Sequence, residues 1–137
     1  MTREDLERLI YDTYSVCVDY PFAQDLQTGA FRHENGRWFC LAMRIRARRL
    51  GHKEDGCIDV INLKCAPEIT ESLVGRETGI YPAYHMNKTH WLSVALGECD
   101  GETVRWLLGI SYELTATKIR QSKKRSPKTP TKKESIR

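Results

Sequence analysis

At 137 residues the chain has the length of a single domain, and its formal charge of +4 is modest for that length. A chain of this size buries about two-thirds of the surface that its unfolded form exposes, so folding requires neither a disulfide nor a structural metal. The charge is unevenly placed: residues 121–137 carry seven Lys or Arg side chains against one Glu, a net of +6, which leaves −2 for residues 1–120. We therefore expect one nearly neutral domain over residues 1–120 and a basic tail that a polyanion would meet first.

The cysteines and the amino terminus indicate a reducing compartment. The five cysteines are odd in number and widely spaced, which argues against a disulfide framework. The first eight residues are charged where a signal peptide would be apolar, and no apolar run reaches the ~18 residues of a membrane-spanning helix. These features predict a cytoplasmic protein with no membrane partner, and a monomer is the simplest expectation.

The beginning of the chain predicts a helix and a hairpin. Thr2 and Asp5 form a capping-box-like start for a helix over residues 3–17, whose apolar residues recur at helical spacing. Asn35 and Gly36 separate two strand-like runs, and this pair favours a hairpin closed by a type I′ turn, because both residues tolerate a positive φ.

The second strand of that hairpin alternates apolar residues, which predicts that one of its faces belongs to the core. The alternating residues are Phe39, Leu41, Met43 and Ile45. A polar stretch over residues 47–56 follows and is expected to project as an exposed wing, and residues 57–64 form a third strand.

The remainder of residues 1–120 predicts two helices and a strand between them. Pro67 begins a helix that Gly75 or Gly79 ends, residues 90–96 form a strand, and residues 102–120 form the last helix. With a further short strand at residues 81–86, the order is α-β-β-β-α-β(β)-α. Such an order predicts an α+β fold with two layers, in which helices cover one face of a mostly antiparallel sheet.

The tail has too little apolar surface to offset its chain entropy, so the sequence predicts a disordered segment over residues 121–137. It would supply non-specific, salt-sensitive affinity for nucleic acid, or it would act only as a solubilising end. The tail residues expected to act electrostatically are Lys123, Lys124, Arg125, Lys128, Lys132 and Lys133.

Residues 79–91 mix aromatic, imidazole, amide and ammonium groups with little periodicity, which indicates a binding segment rather than a spacer. Asn87 and Lys88 suit contacts with a base edge and a phosphate, and His85 or Trp91 can stack on a base. Trp91 also begins an apolar strand, so core packing is an alternative role for its ring. Arg44 and the arginines that follow it can track a nucleic-acid backbone or simply form the solvated face of a strand.

Two catalytic or metal-dependent alternatives have little support in the sequence. His85 and His90 lack any zinc-binding partner motif, so we expect neither a metal site nor a cofactor. Cys65 precedes a helix and would be a nucleophile if His85 or His90 lay beside it; the alternative is a small buried residue at the end of a strand.

Four motifs together resemble the MmcQ/YjbR family of small bacterial proteins. They are Arg37-Trp38-Phe39, Asn62-Leu63-Lys64-Cys65-Ala66-Pro67, residues 79–91 and Ser111-Tyr112. The resemblance spans residues 3–120 and implies a secretion-chaperone-like α+β fold and a DNA-binding protein with a double-wing arrangement. Two features depart from the family pattern: Arg37 stands where a lysine is usual, and the basic tail has no counterpart.

The leading hypothesis is therefore a non-enzymatic DNA-binding domain assisted by its tail. The residues expected to bind are Arg37, Lys64, His85, Asn87, Lys88 and Trp91. The alternative is a pocket that binds a small molecule, an anion or a protein segment with the same lysine, histidine and asparagine side chains.

Overall fold

The structure is a computed structural model, and it describes residues 1–116. The helices are α1 (Arg3–Tyr14), α2 (Pro67–Leu73) and α3 (Gly101–Ala116), and a 3-10 helix spans Ala47–Leu50. The strands are β1 (Gly29–Arg32), β2 (Trp38–Arg46), β3 (Cys57–Lys64), β4 (Ile80–Pro82) and β5 (Trp91–Ala95). The predicted end of the last helix at residue 120 and the basic tail lie outside the described residues.

The five strands form one antiparallel sheet in the order β1-β2-β3-β5-β4. One face of the sheet, the helix face, carries an apolar core to which Leu6 of α1, Leu107 of α3 and Ile61 of β3 belong. Apolar residues of α2 pack against the same core. The predicted α+β fold, with helices on one face of an antiparallel sheet, is therefore confirmed. No helix within residues 1–116 is long and apolar enough to cross a membrane.

The opposite face of the sheet, the second face, is covered without a helix. Its apolar residues include Leu41, Met43 and Val60, and the side chains of Tyr84 and Met86 pack against them. Tyr84 and Met86 belong to the irregular chain between β4 and β5. The 3-10 helix also contributes an apolar side chain, Leu50, to this cluster. The connection over residues 47–56 is mostly exposed, as expected, but it contacts the sheet at this point.

Phe39 lies on the other face from the one that its alternation predicts. Phe31 pairs with Cys40 and Arg32 pairs with Trp38, so β2 contains one extra residue, Phe39, opposite the end of β1. Such a β-bulge reverses the side on which the flanking residues point. Phe39 therefore joins the helix-face core, whereas Leu41 and the later alternating residues lie on the second face.

Two local predictions also differ in detail. The first helix ends at Tyr14 instead of residue 17, because Ser15 adopts a left-handed conformation with φ of 61° and caps it. The predicted hairpin is present, but its turn is longer than type I′. The N–H of Gly36 donates to the carbonyl of His33 at 2.8 Å, and Gly36 alone takes the positive φ. This geometry is typical of a three-residue hairpin loop.

Candidate functional site

A buried polar pair holds the chain after β4 against the second face. Asn62 of β3 and Ser93 of β5 are cross-strand partners and are both fully buried. The Ser93 hydroxyl donates to Asn62 Oδ1 and accepts from the N–H of Tyr84 at 2.8 Å. Asn62 Nδ2 donates to the carbonyl of Tyr84 at 2.8 Å. Both backbone groups of Tyr84 are thus bonded to the sheet, and a buried polar group left unbonded would cost about 1–3 kcal/mol.

This attachment holds His85 in a conformation that most residues avoid. His85 has φ of 59°, in the left-handed region, which costs a non-glycine residue about 1–2 kcal/mol. Its imidazole is exposed and meets the Tyr84 ring edge-on, with 4.0 Å between the ring centroids. Lys88 Nζ donates to the carbonyl of Ala83 at 2.7 Å and closes this part of the chain into a loop. The imidazole is therefore presented to solvent from a fixed backbone.

Asn87 shapes the turn that leads into β5. Its Oδ1 accepts from the N–H groups of Thr89 and His90 at 2.8 and 3.0 Å, and its carbonyl accepts from the N–H of Trp91. The side-chain oxygen is consequently engaged within the chain. Asn87 is nevertheless exposed, and its amide nitrogen makes no hydrogen bond within residues 1–116.

Three of the predicted site residues meet at one end of the sheet, where β2 begins, β3 ends and β5 begins. Arg37, Lys64 and Trp91 line a 260 Å³ cleft there together with Trp38 and Thr115. We call this the sheet-end cleft. Lys64 and Trp91 are cross-strand partners, and alternation along their strands turns both toward the second face.

A buried hydroxyl of α3 sets the position of the sheet-end cleft. Ser111 Oγ donates to the carbonyl of Phe39 at 2.5 Å and accepts from the N–H of Lys64 at 2.9 Å. One side chain thus joins the last helix to both β2 and β3 beside the cleft. This contact gives a structural reason for the serine of the Ser-Tyr motif.

The two cations of the sheet-end cleft form no ion pair with another described residue. Within residues 1–116, neither Arg37 nor Lys64 has a carboxylate oxygen within 4.0 Å, whereas Arg44 lies 3.2 Å from Asp59. The Nε atom of Arg37 is buried and makes no hydrogen bond to another described residue. A buried donor without a partner is unfavourable.

The other predicted cations lie in a separate cleft of 470 Å³, between the 3-10 helix and the loop after β4. Its polar lining includes Arg49, Tyr84, His85 and Lys88, and Leu50 forms part of its apolar wall. We call this the loop cleft. The six predicted site residues are therefore divided: Arg37, Lys64 and Trp91 line one cleft, His85 and Lys88 line the other, and Asn87 lines neither.

A hydrogen-bonded trio stands beside the loop cleft. Tyr81 Oη donates to Glu98 Oε1 at 2.5 Å, and His52 Nε2 lies 3.0 Å from Tyr81 Oη and 3.1 Å from Glu98 Oε2. Burial, reinforced by the Glu98 carboxylate, raises the pKa of Tyr81 to about 12. The phenol therefore stays protonated at neutral pH, and the trio ties the chain between β2 and β3 to the sheet edge.

The sequence did not predict a further cleft of 870 Å³ between the ends of α1 and α3 and the hairpin turn. Tyr14, His33 and Tyr112 line it. The two tyrosine rings stack with centroids 4.0 Å apart, and His33 Nε2 lies 2.7 Å from Thr115 Oγ1. Burial lowers the pKa of His33. The Ser-Tyr motif is the one feature of the sequence that pointed toward this region.

The structure gives no support to a thiol nucleophile. Cys65 belongs to the helix-face core with 2% of its surface exposed, and burial raises the pKa of its thiol. A raised pKa disfavours the reactive thiolate, so the residue has the character of the small buried cysteine that was the alternative. Within residues 1–116, no three His, Cys, Asp or Glu side chains are grouped so as to hold a metal ion.

Comparison with known proteins connects this geometry to one family. The YjbR family model matches residues 3–114. The uncharacterized protein YyaQ of Bacillus subtilis is 38% identical over 117 residues, which cover 84% of this chain and 98% of YyaQ. A crystal structure of a Pseudomonas syringae protein aligns with a TM-score of 0.80 at 36% identity, covering 84% of this chain and 99% of the other. A Deinococcus radiodurans protein of known structure aligns with a TM-score of 0.62 at 28% identity, covering 85% and 79% of the two chains. The chain belongs to the YjbR family.

Proposed function

We propose that this protein binds DNA without catalysing a reaction, in the reducing cytoplasm, through the sheet-end cleft and its basic tail. The observation that carries the proposal is that Arg37 and Lys64, which have no carboxylate partner within residues 1–116, share an open cleft with Trp91. Cations that have no carboxylate partner among residues 1–116 are available to phosphate. The tail adds positive charge to a chain whose first 120 residues carry a net charge of −2.

Each group of the cleft has a distinct role in this proposal. The guanidinium of Arg37 can bind a phosphate through two donors, while Lys64 acts as a point charge. Trp91 is half-buried and offers one part of its ring for stacking. Asn87, in the turn before β5, presents its amide nitrogen to a base edge. His85 and Lys88 line the loop cleft and are not required for this contact.

Fluorescence anisotropy with a short DNA duplex over a series of NaCl concentrations tests the proposal on the full-length chain. We expect the double variant Arg37→Gln/Lys64→Gln to bind more weakly and to reduce the slope of log K against log salt by about 2, since about 0.9 counterions are released per neutralised phosphate. The matched control is Arg44→Gln, which removes a cation already paired with Asp59 and is expected to change neither value.

A variant of the tail distinguishes the contribution of the domain to DNA binding from that of the tail. In a tail-neutral variant, six of the seven tail cations, all except Arg137, are replaced by glutamine. Weak binding should persist in this variant, and Arg37→Gln/Lys64→Gln should abolish it. The proposal fails if the tail-neutral protein does not bind DNA at low salt. It also fails if the double variant binds as tightly as the unmodified protein in both backgrounds.

A further inference from the structure

We propose that the loop cleft is a second, separate binding site that accepts a small phosphate monoester with a planar body. The inference goes beyond DNA binding because its residues do not line the sheet-end cleft and do not belong to the tail. It rests on the charge of the cleft, on the rigidity of its wall and on its shape.

The charge of the loop cleft favours an anion. Arg49 and Lys88 both line it, and neither has a carboxylate oxygen within 4.0 Å among residues 1–116. Glu98 contacts Tyr81, which also lines the cleft. The two carboxylate oxygens of Glu98 already contact Tyr81 and His52. The ammonium of Lys88 uses one donor on the Ala83 carbonyl, which leaves two for a ligand.

The wall of the cleft is held rigidly before any ligand arrives. Asn62 and Ser93, both fully buried, bind the two backbone groups of Tyr84, and the next residue, His85, adopts the left-handed conformation. Buried polar groups and left-handed non-glycine residues are both unfavourable unless the surroundings compensate, and such features concentrate at binding sites. A cleft fixed in this way loses little entropy when it binds a ligand.

The shape of the cleft indicates a whole small molecule rather than a duplex. Its volume of 470 Å³ lies within the range of small-molecule sites, about 300–1,000 Å³. Leu50, Pro82 and the Tyr84 ring give it apolar surface beside the cations. Arg49 can hold two phosphate oxygens at once, and a planar group attached to that phosphate would lie against Tyr84.

Titration of the full-length protein with phenyl phosphate, followed through the imidazole NMR signals, tests the inference. The His85 signals should shift and saturate, whereas those of His90, which is exposed and lines neither cleft, should barely move. Inorganic phosphate should bind more weakly than phenyl phosphate because it lacks the planar group. Arg49→Gln should weaken phenyl phosphate binding about tenfold, which corresponds to one charge-assisted contact.

The same variants distinguish this site from the DNA site. Arg37→Gln/Lys64→Gln should leave the phenyl phosphate titration unchanged, so a failure of DNA binding would not affect it. The inference is overturned if His85 and His90 shift together without saturating, or if Arg49→Gln has no effect. It is also overturned if duplex DNA displaces phenyl phosphate from His85, because the loop cleft would then be part of the DNA surface.

Discussion

The two faces of the sheet are covered by different kinds of interaction. On the helix face, apolar side chains of three helices pack on those of the strands, and residues such as Phe39 and Leu63 are fully buried. On the second face, Asn62 and Ser93 hold an irregular loop by its backbone. Apolar packing is non-directional and gives stability, whereas hydrogen bonds fix direction and therefore position particular groups. The loop cleft lies beside this loop, whereas the sheet-end cleft is lined both by Trp91 of β5 and by Thr115 of α3.

The largest expected effect tests the helix face. Phe39→Ala should lower the free energy of unfolding by about 3–5 kcal/mol, because it empties a site surrounded by aromatic rings in the core. Urea denaturation measures this loss. Tyr11→Ala, at a side chain that is 56% exposed, is the control and should change stability by less than about 0.5 kcal/mol. A loss below about 1.5 kcal/mol for Phe39→Ala would contradict its assignment to the core.

The next effect tests the hydrogen bonds of the second face. Asn62→Ala should cost about 2–3 kcal/mol, because the Tyr84 carbonyl and the Ser93 hydroxyl both lose a buried partner. Amide exchange at Tyr84 should also become faster. Because Asn62 and Ser93 act as a pair, Asn62→Ala/Ser93→Ala should cost less than the sum of the single variants. Additive losses would show that the two residues act independently.

A smaller effect of opposite sign tests the loop conformation. His85→Gly should raise the free energy of unfolding by about 1 kcal/mol, because glycine adopts a φ of 59° without the steric penalty. The same variant should weaken phenyl phosphate binding. His90→Gly is the matched control, since His90 does not have a positive φ, and it should not stabilise the protein. Destabilisation by His85→Gly would mean that its imidazole makes a net stabilising contact.

The last expected effect concerns pH. The pKa of Tyr81 is raised from 10.0 to about 12 in the folded protein, so the folded state holds this proton more tightly than the unfolded state does. Its contribution to stability is therefore complete below pH 10 and is lost as the pH rises toward 12. The free energy of unfolding, measured by urea denaturation, should therefore fall less between pH 9.5 and pH 11.5 in Tyr81→Phe than in the unmodified protein. If the free energy of unfolding falls equally in the two proteins, the pKa of Tyr81 is not raised.

Local patterns in the sequence were sufficient to predict most of the helices, strands and turns. The capping box at Thr2 is present with both of its hydrogen bonds, Pro67 begins α2, and the pair Asn35-Gly36 lies in a hairpin turn. Each depends on residues within a few positions of one another. The face on which Phe39 lies could not be predicted. A single bulged residue shifts the alternation of side chains by one position, and the composition of the strand does not indicate where the bulge occurs.

The candidate site shows the same contrast between what local sequence patterns predict and what depends on the tertiary structure. The motif residues 62–67 and 79–91 were sufficient to mark these segments as candidates for binding, but they did not show that Lys64 and Lys88 line different clefts. That separation depends on the register that pairs Lys64 with Trp91. The buried partners Asn62 and Ser93 are 31 positions apart, and nothing local predicts that they meet.

The sequence by itself therefore determined the order of helices and strands, the family and the basic character of the tail, because these depend on neighbouring residues and on composition. Only the tertiary structure decided which cations of residues 1–116 have a carboxylate partner there. Arg44 looks like Arg37 in the sequence, yet it is neutralised by Asp59 from the adjacent strand. Charge pairing acts across space at a few ångströms, so the register of the sheet selects the residues that are left to meet a partner.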